Sequence, residues 1–306
     1  MSRDRFVGCL LGLAVGDAVA APYEGVPAEF ILHECGPTPE IIAQAGKRTL
    51  RYTDDTEMTI GVAEVLAEHG HIDESALVEA FARNYDPRRG YGSGARRVIE
   101  AMQAGADWRG VAATHFPGGS YGNGAAMRVT PVGLLFHADL DRVWEEARRS
   151  ALPTHVHPLG IEGAQLLAVA VALAVRPGPL DRSGFYRELR KRATTEEFHW
   201  AIGHAARLRA GASIASLGNS LEAHRSVVTA IAAFTATPMA YETVIAKVLA
   251  LGDDVDTLAA MAGALVGAQG GEIPGRLIAA LEDGPRGRGY LQQLAEGLYD
   301  RLGSMA

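Results

Sequence analysis

The sequence predicts an all-α protein, a compact orthogonal multi-helix bundle. Three observations carry this: nearly every apolar segment repeats with the 3.6-residue period of a helix, alternating strand-like runs are hard to find, and many segments are Ala-rich with short connections. No linker interrupts the 306 residues, so positions 1–306 read as one domain around one large core.

Residues 6–20 read as the first helix, with Gly8, Gly12 and Gly16 on one face where a neighbouring helix can approach closely. Ser2-Arg3-Asp4-Arg5, an apolar run and Ala18-Val19-Ala20 imitate a cleavable signal. Asp4 in the basic region and Asp17 at the end of the apolar one argue instead for a buried helix, and the run is too short to span a bilayer. Pro22 ends that helix, and a long loop containing Glu24 runs to about Tyr52. Helices follow over 53–68, stopping at Gly70, and over 73–83, and the turn-rich segment 85–94 leads into another over 95–104. Residues 116–124, Phe-Pro-Gly-Gly-Ser-Tyr-Gly-Asn-Gly, read as a glycine loop. Helices over 140–151 and 160–175 flank the loop 153–158, and the Arg-rich stretch 176–212 holds one or two more. Helices over 221–235, 240–250, 255–268, 274–282 and 289–302 complete the chain, the penultimate one ending at Gly284-Pro285.

A formal net charge of -7, with Lys and Arg scattered, argues against a protein that grips a nucleic-acid backbone, although a ligand can still be anionic locally. Two cysteines, Cys9 and Cys35, build no disulfide framework, which fits a reducing, cytoplasmic compartment. No membrane partner is expected, and without a separate assembly module the expectation is a monomer.

Chemistry-bearing groups concentrate in two segments, Tyr52-Thr53-Asp54-Asp55-Thr56-Glu57 and Gly252-Asp253-Asp254-Val255-Asp256-Thr257, each opening an apolar helix. Neighbouring carboxylates repel unless a cation, a shared proton or water compensates, so the two clusters are expected to meet around metal ions. Thr53, Asp54, Asp55, Asp254, Asp256 and Thr257 offer only oxygen, which suits Mg2+ or Mn2+ better than zinc. The competing interpretation is that each cluster caps its helix. The loop Gly118–Gly124 can bare backbone N–H groups for a phosphate, and Phe116 and Tyr121 beside it can sandwich a purine. It matches neither the dinucleotide nor the nucleoside-triphosphate loop pattern, and a tight loop needing positive φ is the plainer interpretation. His155, in the loop after Thr154, can turn its ring into a cleft, though a structural role is the commoner one for such a residue.

Together these segments resemble the ADP-ribosylglycohydrolase family, with five motifs in family order: Gly8–Ala18, Tyr52–Thr56, Gly119–Arg128, Thr154-His155 and Asp254–Thr257. The resemblance implies an all-α bundle with a binuclear metal cleft holding two Mg2+ or Mn2+. Thr53, Asp54 and Asp55 would hold one ion, and Asp254, Asp256 and Thr257 the other, with one Asp shared. It implies that Gly119, Ser120, Tyr121, Gly122, Asn123 and Gly124 bind a diphosphate and the adjoining ribose. Phe116 and Tyr121 would lie against adenine, His155 would line the distal ribose, and Gly92 would join the substrate site. Glu24 falls where the serine-directed, poly(ADP-ribose)-trimming branch carries its mobile catalytic glutamate, and Gly-Ser-Tyr-Gly-Asn-Gly is similar to that branch.

The implied reaction is release of ADP-ribose from an ADP-ribosylated protein or conjugate by glycosidic cleavage, with serine linkage or the polymer ahead of arginine linkage. The sequence departs from the family pattern twice: Asp253 stands where a glycine is usual, and Phe116 lies close to Ser120. Two readings of other classes are a two-metal phosphoester or pyrophosphate hydrolase and a non-catalytic ADP-ribose-binding protein.

Overall fold

The computed structural model of the protein describes residues 2–209 and 211–305. The chain is a helical bundle in which α1 (Arg3–Ala20), α2 (Asp54–His69), α3 (Pro158–Ala174), α4 (Ala223–Ala236) and α5 (Val255–Gln269) supply most of the core. The expected all-α class holds, and the strands among the described residues are one antiparallel pair of two residues each, β1 (Val26–Pro27) and β2 (Gly252–Asp253).

The glycine stripe of α1 sets the central packing. A Cβ on Gly8, Gly12 or Gly16 would fall 2.9, 2.4 or 2.3 Å from the carbonyl oxygens of Gly267, Gly263 and Ala259 on α5, so only glycine permits this approach. The paired numbers fall on one helix as they rise on the other, so α1 and α5 run antiparallel. This register carries Asp17, near the end of α1, to Asp256, at the start of α5. The stretch Arg3–Tyr23 is long and apolar enough to cross a membrane, yet 72% of its apolar window is buried within the protein, as in a core helix.

The long loop expected before Tyr52 contains a one-turn helix, Ala28–Phe30, widening through Ile31–Cys35, and a further helix, Thr38–Ala45. Pro39 in the first turn suits that helix, and Thr38, Ile41, Ile42 and Ala45 bury one face. Trp108–His115 and Thr130–Leu135 are further helices, and the Arg-rich stretch resolves into Arg182–Arg192 and Glu196–Arg207. The helix expected over 274–282 is Gly275–Ala280: the chain then leaves it to pair Leu281 with Leu50, with Leu50 N–H donating to Ala280 O at 2.9 Å and Glu282 N–H to Leu50 O at 2.8 Å.

Candidate active site

The first carboxylate cluster is braced from below. Asp17, fully buried, accepts the Thr53 N–H at 2.9 and 3.0 Å, the Thr56 N–H at 3.1 Å and the Thr56 hydroxyl at 2.5 Å. Asp54 N–H donates to Arg89 O at 2.8 Å, which ties the turn 85–92 to the same helix start. Thr53 is the N-cap of α2, accepting a long 3.4 Å bond from Asp55 N–H, so the capping interpretation holds for this residue alongside any other role.

The second cluster is built differently. Asp254 occupies the N-cap position of α5 without a side-chain cap bond, and its Oδ2 instead accepts from Asn123 Nδ2 at 2.5 Å. Asp253 has φ +58°, the left-handed region, and is the one non-glycine residue there among the described residues. The strand it belongs to pairs with Val26–Pro27, and Gly25 N–H donates to Asp253 O at 2.8 Å. Glu24, next to Gly25, lies beside this cluster, its Oε2 3.8 Å from where a Cβ on Gly90 would be.

The two clusters meet as the sequence suggests. Thr257 Oγ1 donates to Asp55 Oδ2 at 3.4 Å, and Thr53 Oγ1 reaches the same oxygen at 3.2 Å. Burial, followed by Asp256 and Asp17, pushes Asp55 well above the usual carboxylate range. Burial also raises Asp54, with Asp17 and Glu24 adding to it, and Asp256, with Asp254 and Glu24 adding. Asp17 and Asp254 are each pushed up to about 6, chiefly by burial, against the hydrogen bonds they accept. Glu24 is exposed as a residue, but desolvation of its carboxylate raises its pKa too.

This donor set fits a hard divalent cation. All its donors are oxygen, its carboxylates oppose one another's ionisation, and Asp55 Oδ1 is buried with no hydrogen-bond partner. Among the described residues no three His, Cys, Asp or Glu side chains converge on one ion by themselves, so the Thr53 and Thr257 hydroxyls and water would have to complete each shell.

Beside the clusters opens a cleft of about 740 Å3 lined by Glu24, Gly25, Phe116, Pro117, Gly119, Ser120, Tyr121, Gly122, Ser220, Leu221, Glu222, Asp253 and Asp254. Gly118 and Gly119 have φ +83° and +86°, and a Cβ on Gly119 would lie 2.4 Å from Val156 Cγ2 and 2.6 Å from His157 N, so this turn requires glycine. The loop is less bare than its glycines suggest: the N–H groups of Gly119, Gly122 and Asn123 bond Phe116 O, Ser120 Oγ and Leu221 O. Those of Ser120 and Tyr121, residues that line the cleft, make no hydrogen bond among the described residues. Phe116 and Tyr121 line the cleft and are 41% and 52% exposed, the Tyr121 ring meeting that of His157 edge-on with centroids 5.7 Å apart.

Four residues expected in the substrate site, Gly92, Asn123, Gly124 and His155, are not among those lining this cleft. Gly92 is exposed at the N-cap of the helix Ser93–Gln103 and is not among the residues lining the cleft. Asn123 is buried and spends its amide on Asp254. His155 is buried behind the loop, where with Phe116, Ser120 and Gly124 it lines a cavity of about 40 Å3. Conversely, Asp17 and the segment Ser220–Glu222 belong to the site and were not anticipated. The sole sequence signal for Asp17 is a carboxylate inside an apolar glycine-stepped helix, and Ser220–Glu222 gives none. That segment pairs with the glycine loop, Ala223 N–H donating to Tyr121 O at 3.1 Å.

The site is an acidic, all-oxygen cluster beside a glycine loop in an all-α bundle. The ADP-ribosylglycohydrolase family profile matches residues 1–305. ADP-ribosylhydrolase ARH3 of Mus musculus is 33% identical over 311 aligned positions spanning 87% of this chain and 84% of its own. ADP-ribosylarginine hydrolase Tri1 of Pseudomonas putida (strain GB-1) is 30% identical over 56% of this chain and 47% of its own. A solved structure described as an ADP-ribosylglycohydrolase-related protein complex superposes with a TM-score of 0.74 at 26% identity, covering 97% of this chain and 98% of that one. The chain belongs to the ADP-ribosylglycohydrolase family, enzymes that act on ADP-ribosylated substrates.

Proposed function

We propose that the protein is a metal-dependent hydrolase that cleaves the glycosidic bond between ADP-ribose and its acceptor, with serine-linked ADP-ribose or poly(ADP-ribose) as the favoured substrate. The observation that carries this reading is a single cleft lined by Glu24, Asp253 and Asp254 together with residues of the glycine loop, Phe116 and Tyr121. Similarity to ARH3 along most of the chain, against a match to an arginine hydrolase over about half of it, supports the choice of branch.

Thr53, Asp54 and Asp55 would hold one Mg2+ or Mn2+, and Asp254, Asp256 and Thr257 the second. Bound there, the cations would supply Lewis-acid chemistry, fixing ribose hydroxyls and polarising a water. The protein's own groups do the rest. Ser120 and Tyr121 N–H groups take the diphosphate oxygens, and Phe116 and Tyr121 flank the adenine. Glycosidic cleavage passes through an oxocarbenium-like state that needs a positioned water and a protonated leaving group. Glu24 faces the clusters at the cleft mouth, and its raised pKa widens the pH range over which it keeps a proton to give to the leaving oxygen. The peptide pair joining Gly25 to Asp253 fixes its distance from the second cluster.

The test is release of free ADP-ribose from matched serine-linked and arginine-linked peptides, with Mg2+, Mn2+ or chelator, by wild-type protein and Glu24→Gln. Chelator-sensitive release from the serine peptide, lowered at least about 100-fold by Glu24→Gln with ADP-ribose binding retained, is expected. Release from the arginine peptide alone overturns the substrate assignment. Full activity in the variant removes Glu24 from the chemistry, and AMP as product moves the reaction to the diphosphate.

A further inference from the structure

Behind the glycine loop lies a buried cation that the reaction scheme does not use. Arg128 is 1% exposed. It donates to Gly124 O at 2.8 Å, to Ser150 O at 3.0 Å and to Thr154 Oγ1 at 2.7 Å, and its guanidinium lies 4.9 Å from the centre of the Phe81 ring. Thr154 Oγ1 in turn lies 2.7 Å from His155 Nδ1. The hydroxyl carries a single hydrogen. Its other acceptor, Ala151 O, is 3.5 Å away, at the limit of a hydrogen bond. With Arg128 donating to the oxygen, the hydroxyl hydrogen goes to Nδ1, and Nδ1 is therefore the bare nitrogen of the ring.

The proton of neutral His155 then sits on Nε2. That atom makes no hydrogen bond among the described residues, and it lies 4.0 and 3.6 Å from where a Cβ on Gly122 or Gly124 would be. A Cβ on Gly124 would approach His155 Cε1 to 3.3 Å, so the loop and the ring are in contact. Burial, with Arg128 adding, lowers the pKa of His155 to about 3, which keeps the ring neutral although the clusters nearby are acidic.

We propose that Arg128 and Thr154 are positioning residues: they lock His155 in the Nε2–H tautomer, so that the floor of the glycine loop presents one fixed, neutral donor to an oxygen of the bound ADP-ribose. Arg128 serves twice, because the Gly124 carbonyl it binds belongs to the same loop whose N–H groups face the ligand. The ligand part of this inference rests on the functional reading above, whereas the tautomer does not.

The experiment is 15N NMR of the His155 ring in the full-length protein, with ADP-ribose titration, for wild type, Thr154→Ser and Thr154→Val. Wild type and Thr154→Ser should show a protonated Nε2, an unprotonated Nδ1 and equal affinity. Thr154→Val keeps the shape but removes the donor, so the single tautomer should be lost and affinity should fall about tenfold, as for loss of one buried hydrogen bond. Arg128→Lys, which keeps the charge but not the fork, should fall between the two. A protonated Nδ1 in wild type, or a Thr154→Val protein that keeps both the tautomer and the affinity, overturns the proposal. A wild-type protein with the expected tautomer and no affinity for ADP-ribose overturns the functional reading and leaves the lock standing.

Discussion

The two carboxylate clusters look alike in sequence and are built on opposite principles. Thr53–Glu57 is anchored: Asp17 gathers two backbone N–H groups and a hydroxyl under it, Arg89 O takes the Asp54 N–H, and Thr53 caps its helix. Asp253–Thr257 lies between the segment that carries Glu24 and the core. Its helix start has no side-chain cap, its leading residue is in the left-handed region, and its backbone is paired with the segment that carries Glu24. One cluster is a floor and the other a wall. A floor fixes where charge sits, and a wall whose backbone is hydrogen-bonded to Gly25 and paired with Val26–Pro27 couples its position to the segment that carries Glu24.

The largest expected effect separates them by stability. Asp17→Ala leaves the buried Thr53 and Thr56 donors without partners, which should cost about 3 kcal/mol at roughly 1–3 kcal/mol per group. Asp254→Ala strands the Asn123 amide and loses a Thr257 hydrogen bond, but it also removes a carboxylate raised chiefly by burial, so in chelator its stability should stay within about 1 kcal/mol of wild type. Urea unfolding of both variants in chelator checks this, and equal losses would erase the distinction between floor and wall.

A second effect tests the shared charge. Asp17 and Asp254 have folded-state pKa values raised to about 6 from an ordinary 3.8, so folding takes up protons between those values. Their contribution to stability is full below about pH 4 and is lost as pH rises through about 6. In chelator the melting temperature should therefore fall from pH 5 to pH 7.5. Under the proposed metal binding, Mg2+ or Mn2+ would replace the protons, so the stabilisation on adding metal should be larger at pH 7.5 than at pH 5. A metal-induced shift that is absent or independent of pH would argue that the clusters hold no cation.

The floor was more legible than the wall. Long periodic helices and the glycine face of α1 follow from local pattern, because period and small-residue spacing are written within one segment, whereas the meeting of the two Asp clusters was expected from their like composition and mutual repulsion. Thr38–Ala45 and Thr130–Leu135 escaped because eight and six residues give too few turns for a period to register. Ser220–Glu222 escaped because its place in the cleft comes from pairing with a loop about 100 residues away, which no local pattern encodes. Asp17 was visible only as an interruption. The burial of His155 depends on Arg128 and Thr154 packing behind the glycine loop, so spacing could suggest the residue but not its orientation. Gly92, which the resemblance places at the substrate, stands at a helix N-cap outside the lining of the cleft.

The smallest effect concerns Asp253, where the wall meets the Glu24 segment. A left-handed backbone costs a non-glycine residue about 1 kcal/mol, less for Asp than for most side chains. Here Asn219 offsets part of it, donating to Leu251 O and Gly252 O at 2.8 Å each and to Asp253 Oδ2 at 3.2 Å. Asp253→Gly should remove the steric cost and lose that side-chain bond, while freeing the unfolded chain, so the net gain should be small, about 0.5 kcal/mol. Asp253→Ala loses the bond and keeps the strain, and should be less stable than wild type by about 1 kcal/mol. The order Gly, Asp, Ala in melting temperature would mark the wall as locally strained at the point that holds Glu24. If Ala matched Gly, the left-handed turn would carry no cost, and the backbone pairing alone would account for the position of the second cluster.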